Sequence, residues 1–440
     1  MRPIPFPELV EERLPGGATA VVARRPGVPL VALRLLVDAG SALDPPGRHG
    51  VAHLVAQAAR RGTRRRRGRQ LDELVESLGS EMGAACDEDA SYFGLSAPAD
   101  ALPRLLEVVV EIATEPSFPA AEVARLKRRD RAGLAHLLDE PGAVAERALL
   151  RAVYRDHPYA HPPDGTAAQL GRLRRADLAA FHRRWYVPPN ATLVVVGDVE
   201  PGTVLALARR RLGRWRAPGG AGAPPPVPAP PPTPRAVLVV DKPDLTQTQI
   251  RIGGVALPRR TPAYFAAAVT NAAFGGGFTS RLVEAIRVNR GLSYGVRSRF
   301  SMSRAGGLFF IASFTKNETA ADLVQVALEE AARFAEEGPT AEELERARSW
   351  LSGLFPLSLE THEQVAERIA ELRLFGLSRE EVTGYRERIG AVTAEECRAV
   401  ARAHFPLGTG AVVAVGPART LARALERFGP VTVLPARRLV

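Results

Sequence analysis

Residues 190 to 213 read NATLVVVGDVEPGTVLALARRRLG, and residues 409 to 429 read TGAVVAVGPARTLARALERFG. Each is an unbroken apolar run of strand length, then a turn, then an amphipathic helix. An unbroken run, unlike an alternating one, belongs to a strand covered on both faces. The two stretches answer one another within a chain of 440 residues, and such self-similarity predicts a duplicated unit.

The rest of the chain follows the same order twice. In the first half, strands at about 18 to 24 and 29 to 39 lead to helices near 49 to 61 and 70 to 78, then a strand at 90 to 97. Helices at 101 to 114, 119 to 139, 141 to 154 and 174 to 186 precede the quoted strand. In the second half, strands at 236 to 241 and 247 to 256 precede helices near 261 to 274 and 279 to 289 and strands at 293 to 304 and 307 to 315. Helices at 319 to 337, 340 to 354, 359 to 376, 379 to 389 and 393 to 404 complete it. Between the halves, RAPGGAGAPPPVPAPPPTPR at 216 to 235 can bury almost nothing, and its prolines favour extended geometry. The expected fold is α+β: two homologous halves, 1–215 and 236–440, each an antiparallel-rich sheet packed with helices, joined by a linker at 216–235.

Composition narrows the function classes. No stretch approaches the roughly 18 uncharged apolar residues of a membrane span, and the first residues, MRPIPFPELVEERLPGG, have no apolar core, so a cytoplasmic protein without membrane contact is expected. Cys86 and Cys397 form no C-x-x-C pair and indicate neither a disulfide framework nor a cysteine-built metal site. The net charge of +11 is almost all arginine. Its densest run, Arg60, Arg61, Arg64 to Arg67 and Arg69, lacks interleaved aromatics for base stacking and reads as a solvated surface stretch, not a nucleic-acid site.

The segment GRHGVAHLVAQAARRGT, residues 47 to 63, resembles the zinc-site helix of the insulinase/pitrilysin metallopeptidases, the inverted zincins. In that family the helix carries H-x-x-E-H, with two histidines on zinc and a glutamate that activates water. Residues four apart project from one face of a helix, which explains the spacing. Here the five positions read His53, Leu54, Val55, Ala56 and Gln57. Ala56 cannot take a proton, and the Gln57 amide is a poor zinc ligand beside imidazole. The family's third ligand, a glutamate ahead of a segment like DEPGAVAERALL, corresponds to Ala132 and Gly133, and a substrate-holding asparagine corresponds to Gly83. No metal is expected at His53. The pairs His49/His53 and His157/His161 also have i, i+4 spacing, but His49 lies among glycines ahead of the helix, and Pro158, Pro162 and Pro163 forbid a regular helix at the second pair.

The run AAFGGGFTSRLVEAIRVNRGLSYGVRSRF, residues 272 to 300, resembles the second-half segment of the same family, in which an arginine and, seven positions later, a tyrosine reach the scissile peptide. Both are present, as Arg287 and Tyr294. A guanidinium and a phenol are donors suited to a carbonyl oxygen that gains negative charge as water attacks. Gly275, Gly276 and Gly277 lack the lysine of a phosphate loop and read as a tight backbone passage.

The resemblance implies a half-clamshell chain, inactive alone, with no cofactor of its own. It would be paired as a heterodimer or larger assembly with a homologous H-x-x-E-H subunit that holds the zinc, and it would take peptide substrates. Two other classes fit the same residues: a peptide-binding homodimer, and a non-enzymatic scaffold in which Arg287 and Tyr294 are incidental.

Overall fold

The computed structural model describes residues 4–217 and 222–440; residues 1–3 of the first half and 218–221 of the expected linker lie outside the described residues. Two six-stranded sheets form. The first contains β1 (Val10–Arg13), β2 (Thr19–Arg24), β3 (Leu30–Val37), β4 (Gly83–Cys86), β5 (Ser91–Pro98) and β6 (Ala191–Gly197) in the order β1-β2-β6-β3-β5-β4. The second contains β7 (Ala236–Asp241), β8 (Gln247–Ala256), β9 (Val296–Met302), β10 (Gly307–Lys316), β11 (Ala411–Gly416) and β12 (Val431–Pro435) in the order β12-β7-β11-β8-β10-β9.

Five strands of each sheet correspond one to one. β2 pairs β6 in parallel as β7 pairs β11, and β3 lies antiparallel to β6 and β5 as β8 does to β11 and β10. The sixth strand differs: β1 joins antiparallel from the start of the chain, whereas β12 joins in parallel from its end. The repeat is therefore a five-stranded unit closed in two ways.

The apolar runs of β6 and β11 have their physical cause in two-sided burial. In β6, Leu193 and Val195 enter one apolar cluster with the first half's own helices, while Val194 and Val196 enter another on the opposite face. In β11, Val412 and Ala414 face the second half's helices, and Ala411, Val413 and Val415 face away from them. Alternate residues of a strand must point to opposite faces, so each sheet needs two covers.

Each half supplies the second cover for the other. The helix Pro141–Tyr154, from the first half, lies on β7, β8 and β11, where Val144, Ala145, Ala148, Leu149 and Val153 cluster with residues such as Leu238, Val240 and Val413. The helix His362–Phe375, from the second half, lies on β3 and β6, where Ala366, Ile369 and Ala370 cluster with Ala32, Val194 and Val196. Polar ties line the seam. Lys242 Nζ donates to Leu138 O at 2.8 Å and Thr233 Oγ1 to Val153 O at 2.8 Å. Asp89 accepts from Tyr159 Oη at 2.6 Å and from Arg304 N at 2.7 Å. Each sheet is thus completed only by the opposite half.

The arginine run is in large part the solvated stretch expected, with Arg64, Arg65, Arg67 and Arg69 exposed, while Arg60, Arg61 and Arg66 are half-buried. Arg66 pairs with Glu107 at 2.7 Å and with the buried Glu111, Arg61 reaches Asp72 at 3.3 Å, and Arg60 Nη1 donates to Met82 O at 2.6 Å. Of the exposed members, Arg69 pairs with Glu73 across one helical turn and Arg65 with Glu115 at 2.9 Å. The half-burial of Arg66 has its cause in acidic residues supplied by a distant helix, Leu102–Thr114, which sequence spacing does not reveal.

Ile369 and Leu149 are essentially inaccessible, at 0% and 1% exposure, on the two exchanged helices. Truncating either one, as Ile369→Ala or Leu149→Ala, is expected to cost about 2–5 kcal/mol of stability in urea titration. A loss below about 0.5 kcal/mol, the scale of a surface change, in either variant would contradict the exchange.

Candidate functional site

The helix carrying the degenerate motif runs from Val51 to Ala59. Its first N–H groups are satisfied from upstream, since the Asp44 carboxylate accepts from Gly50 N at 2.6 Å and Ala52 N at 2.9 Å. Val51, Ala52, Leu54, Val55, Ala56, Ala58 and Ala59 are buried, which leaves His53 and Gln57, four apart, half-buried on one side. The two former ligand positions therefore share a face, as the spacing requires, and the Ala56 methyl is turned into the core.

His53 faces a carboxylate. Its Nε2 lies 3.4 Å from Asp130 Oδ2 on the helix Ala120–Leu137, and Arg129 Nε donates to the other carboxylate oxygen at 2.8 Å. Burial alone would raise the Asp130 carboxyl, but the His53 and Arg129 bonds outweigh it and hold it below the usual carboxylate range. Gln57 Nε2 donates to Ala84 O of β4 at 2.8 Å, so the amide ties the helix to the edge strand of the first sheet. Ala132 and Gly133 are exposed on the helix Ala120–Leu137, and a methyl built on Gly133 would meet no atom within 4 Å. Gly83, in β4, is likewise exposed. One imidazole and one carboxylate remain where the family's zinc has two imidazoles and a carboxylate, and this donor set does not fit the ion.

The second constellation lies beside β9, which occupies in its sheet the edge position that β4 occupies in the first. The helix Tyr264–Asn271 passes into a π-helical turn, Ala272–Gly276, and Arg287 rides on a second π-helical segment, Val283–Val288. Such turns recur at functional sites because they shift a side chain off the regular helical face. Gly275 is required by contact, since a Cβ there would lie 2.6 Å from Ser298 Oγ on β9 and 2.8 Å from Leu282 Cδ1. This close packing accounts for the glycine turn.

Strand β9 begins at Val296, not at 293 as the sequence suggests. Residues 293 to 295 form a pinned turn instead: Ser293 Oγ and Ser313 Oγ each donate to Gly295 O at 2.9 Å, and Thr315 Oγ1 donates to Leu292 O at 2.6 Å. With Ser293 held inside, Tyr294 is turned out and is 81% exposed. The Arg287 guanidinium carbon stands 5.1 Å from the Tyr294 ring and 4.8 Å from the ring of Phe278, itself 75% exposed. Cation–π contacts at exposed sites contribute about 0.5–1 kcal/mol each, enough to bias the guanidinium towards a position between the two rings. No ion pair of Arg287 occurs among the described residues, so its N–H groups are not committed to a carboxylate. Phe278 is the member of this group that sequence reasoning missed. Its signal was an aromatic directly after a triple glycine, where burial is not expected.

Two further histidines also come together unexpectedly. Neither i, i+4 pair forms a cluster, but His49 and His161, one from each pair, meet with ring centroids 3.7 Å apart and their planes tilted by 36°.

Comparison with known proteins places these features in context. Residues 19–166 match the profile described as insulinase (peptidase family M16), and residues 172–351 match the one described as the peptidase M16 inactive domain. An uncharacterised zinc protease of Streptomyces coelicolor is 27% identical over 395 residues, covering 88% of this chain and 85% of that protein. One of Mycobacterium leprae is 27% identical over 418 residues, covering 94% and 93%. Among solved structures, a peptidase M16 inactive domain from Pseudomonas fluorescens superposes with a TM-score of 0.87 at 26% identity, over 93% of this chain and 98% of that one. A protease from Helicobacter pylori shares the fold, with a TM-score of 0.89 at 19% identity over 94% and 100% of the two chains.

Open space at Gly133 and the shared face of His53 and Gln57 make the lost ligand set restorable. The triple variant Ala56→Glu, Gln57→His, Gly133→Glu is expected to bind one zinc equivalent per chain more than the wild type, measured by metal analysis after dialysis. No gain would mean that Gly133 is not the third ligand position.

Proposed function

The chain belongs to the M16 (insulinase) peptidase family, and we propose that within it this chain is the non-catalytic subunit of a heteromeric zinc metallopeptidase. The observation that carries this reading is the contrast between the two constellations. The motif helix has lost its base at Ala56 and has tied Gln57 to Ala84 O, whereas Arg287 and Tyr294 stand together, outward and unpaired with any carboxylate among the described residues.

In this reading the duplicated halves, 1–215 and 236–440, form one wall of a chamber, with 216–235 as the linker. A homologous subunit with an intact H-x-x-E-H holds the zinc and the water-activating glutamate. Arg287 and Tyr294 donate to the carbonyl oxygen of the peptide bound there, an interaction that strengthens as charge develops on that oxygen. Phe278 holds the guanidinium in place and offers an apolar surface to a substrate side chain. The assembly acts in the cytoplasm. No helix among the described residues is long and apolar enough to cross a membrane.

The test is co-expression with a family member carrying the intact motif, followed by a peptidase assay and zinc analysis of the purified complex. Arg287→Ala and Tyr294→Phe are each expected to slow turnover on the order of 10²-fold, with zinc content unchanged. Wild-type rates in both variants, or full activity of the zinc chain without this one, would overturn the proposal.

A further inference from the structure

Away from the degenerate motif and the Arg287 group, one cluster of ligating side chains remains without an assigned role. A ring nitrogen of His49, a ring nitrogen of His161 and a carboxylate oxygen of Asp44 all lie within 4.8 Å of one another. Ligands of a single zinc ion, each bound at about 2.0–2.1 Å, sit roughly 3–4 Å apart, so movements of about 1 Å complete the arrangement.

The surroundings favour a cation ligated by neutral rings. Nδ1 of His49 and Nδ1 of His161 are both inaccessible and have no hydrogen-bond partner among the described residues, so neither lone pair is committed elsewhere. Asp44 is 8% exposed, and its two oxygens are already oriented by the N–H groups of Gly50 and Ala52. Backbone bonds of that kind fix a metal-binding carboxylate in place. The loop carrying His161 is held against His49 by a close backbone approach, since a Cβ on Gly165 would lie 2.5 Å from His49 O. Four arginines line the same cavity, Arg147, Arg151, Arg155 and Arg438; the buried one, Arg147, is engaged by Asp164 and by Gly165 O at 2.9 Å, and Arg151 Nη1 donates to Arg438 O at 3.4 Å.

We propose that Asp44, His49 and His161 form a binding site for a divalent first-row transition metal of the zinc class. Two imidazoles and a carboxylate are a donor set that this class of ion favours. The ligands line a cavity of about 490 Å³ that also holds His157 and Thr166, so the remaining coordination positions face solvent-accessible space. The ion joins the segment ahead of the motif helix to the loop after the exchanged helix Pro141–Tyr154, and so cross-links two parts of the first half that meet beside the seam.

The full-length chain, stripped with EDTA and titrated calorimetrically with zinc, is expected to bind one equivalent. His49→Ala and His161→Ala should each weaken binding more than the roughly 100-fold that loss of an outer hydrogen-bond partner causes, while His53→Ala leaves it unchanged. His161→Gln, which retains size and polarity, guards against misfolding: its circular dichroism should match the wild type while the visible absorption of bound cobalt(II) is lost. Failure of the wild type to bind zinc, or equal binding in His161→Gln, would overturn the site and leave the subunit proposal standing. Binding lost in His53→Ala but kept in His161→Gln would overturn the site and the subunit proposal together, by placing the metal at the motif.

Discussion

The structure depends on a reciprocal exchange of helices. Each sheet has a central strand that is apolar on both faces, and each half carries helices over only one of them. The uncovered face of β6 and its neighbours is closed by His362–Phe375, and that of β11 and its neighbours by Pro141–Tyr154. Burying such a face is worth about 25 cal/mol per Å² of apolar surface, and neither half can gain this alone. The two halves therefore form one cooperative body, and Thr233 near the end of the connecting segment is hydrogen-bonded to Val153 O of the exchanged helix.

That constraint fixes where chemistry can be placed. Helices occupy the centres of both sheets, so the free positions are the edges, and both candidate constellations are found there. The motif helix is tied to β4 through Gln57, and the Arg287 group lies beside β9, its counterpart. Duplication supplied two equivalent edge positions, and the two have diverged. In one, a general base and two ligands have been replaced by a methyl, a tethered amide and an absent side chain. In the other, two hydrogen-bond donors and an aromatic ring are held outward by a rigid turn.

Within the first position a half-buried imidazole lies against a carboxylate, which Asp130 provides from the turn ahead of Gly133. A contact of this kind, partly screened, adds little net stability. Arg66 is likewise paired, and its two glutamates allow a charged side chain to lie against the protein.

Much of the fold was legible because strand and helix periods are local properties. The apolar runs at β6 and β11 and the order of elements in both halves can be read directly. The degenerate motif was legible too, because helical spacing places His53 and Gln57 on one face whatever surrounds them. The sequence by itself determined that the chain is duplicated, that its central strands are apolar throughout, and that the five motif positions read His53, Leu54, Val55, Ala56 and Gln57. Only the tertiary structure decided which helix covers which sheet, since an apolar stripe on a helix does not specify the surface that will receive it. It also decided that Phe278 joins Arg287 and Tyr294, that Asp130 answers His53, and that His49 meets His161 and not its neighbour at i, i+4. Those contacts join residues from separate elements, and their distances are set by packing, which no local pattern encodes.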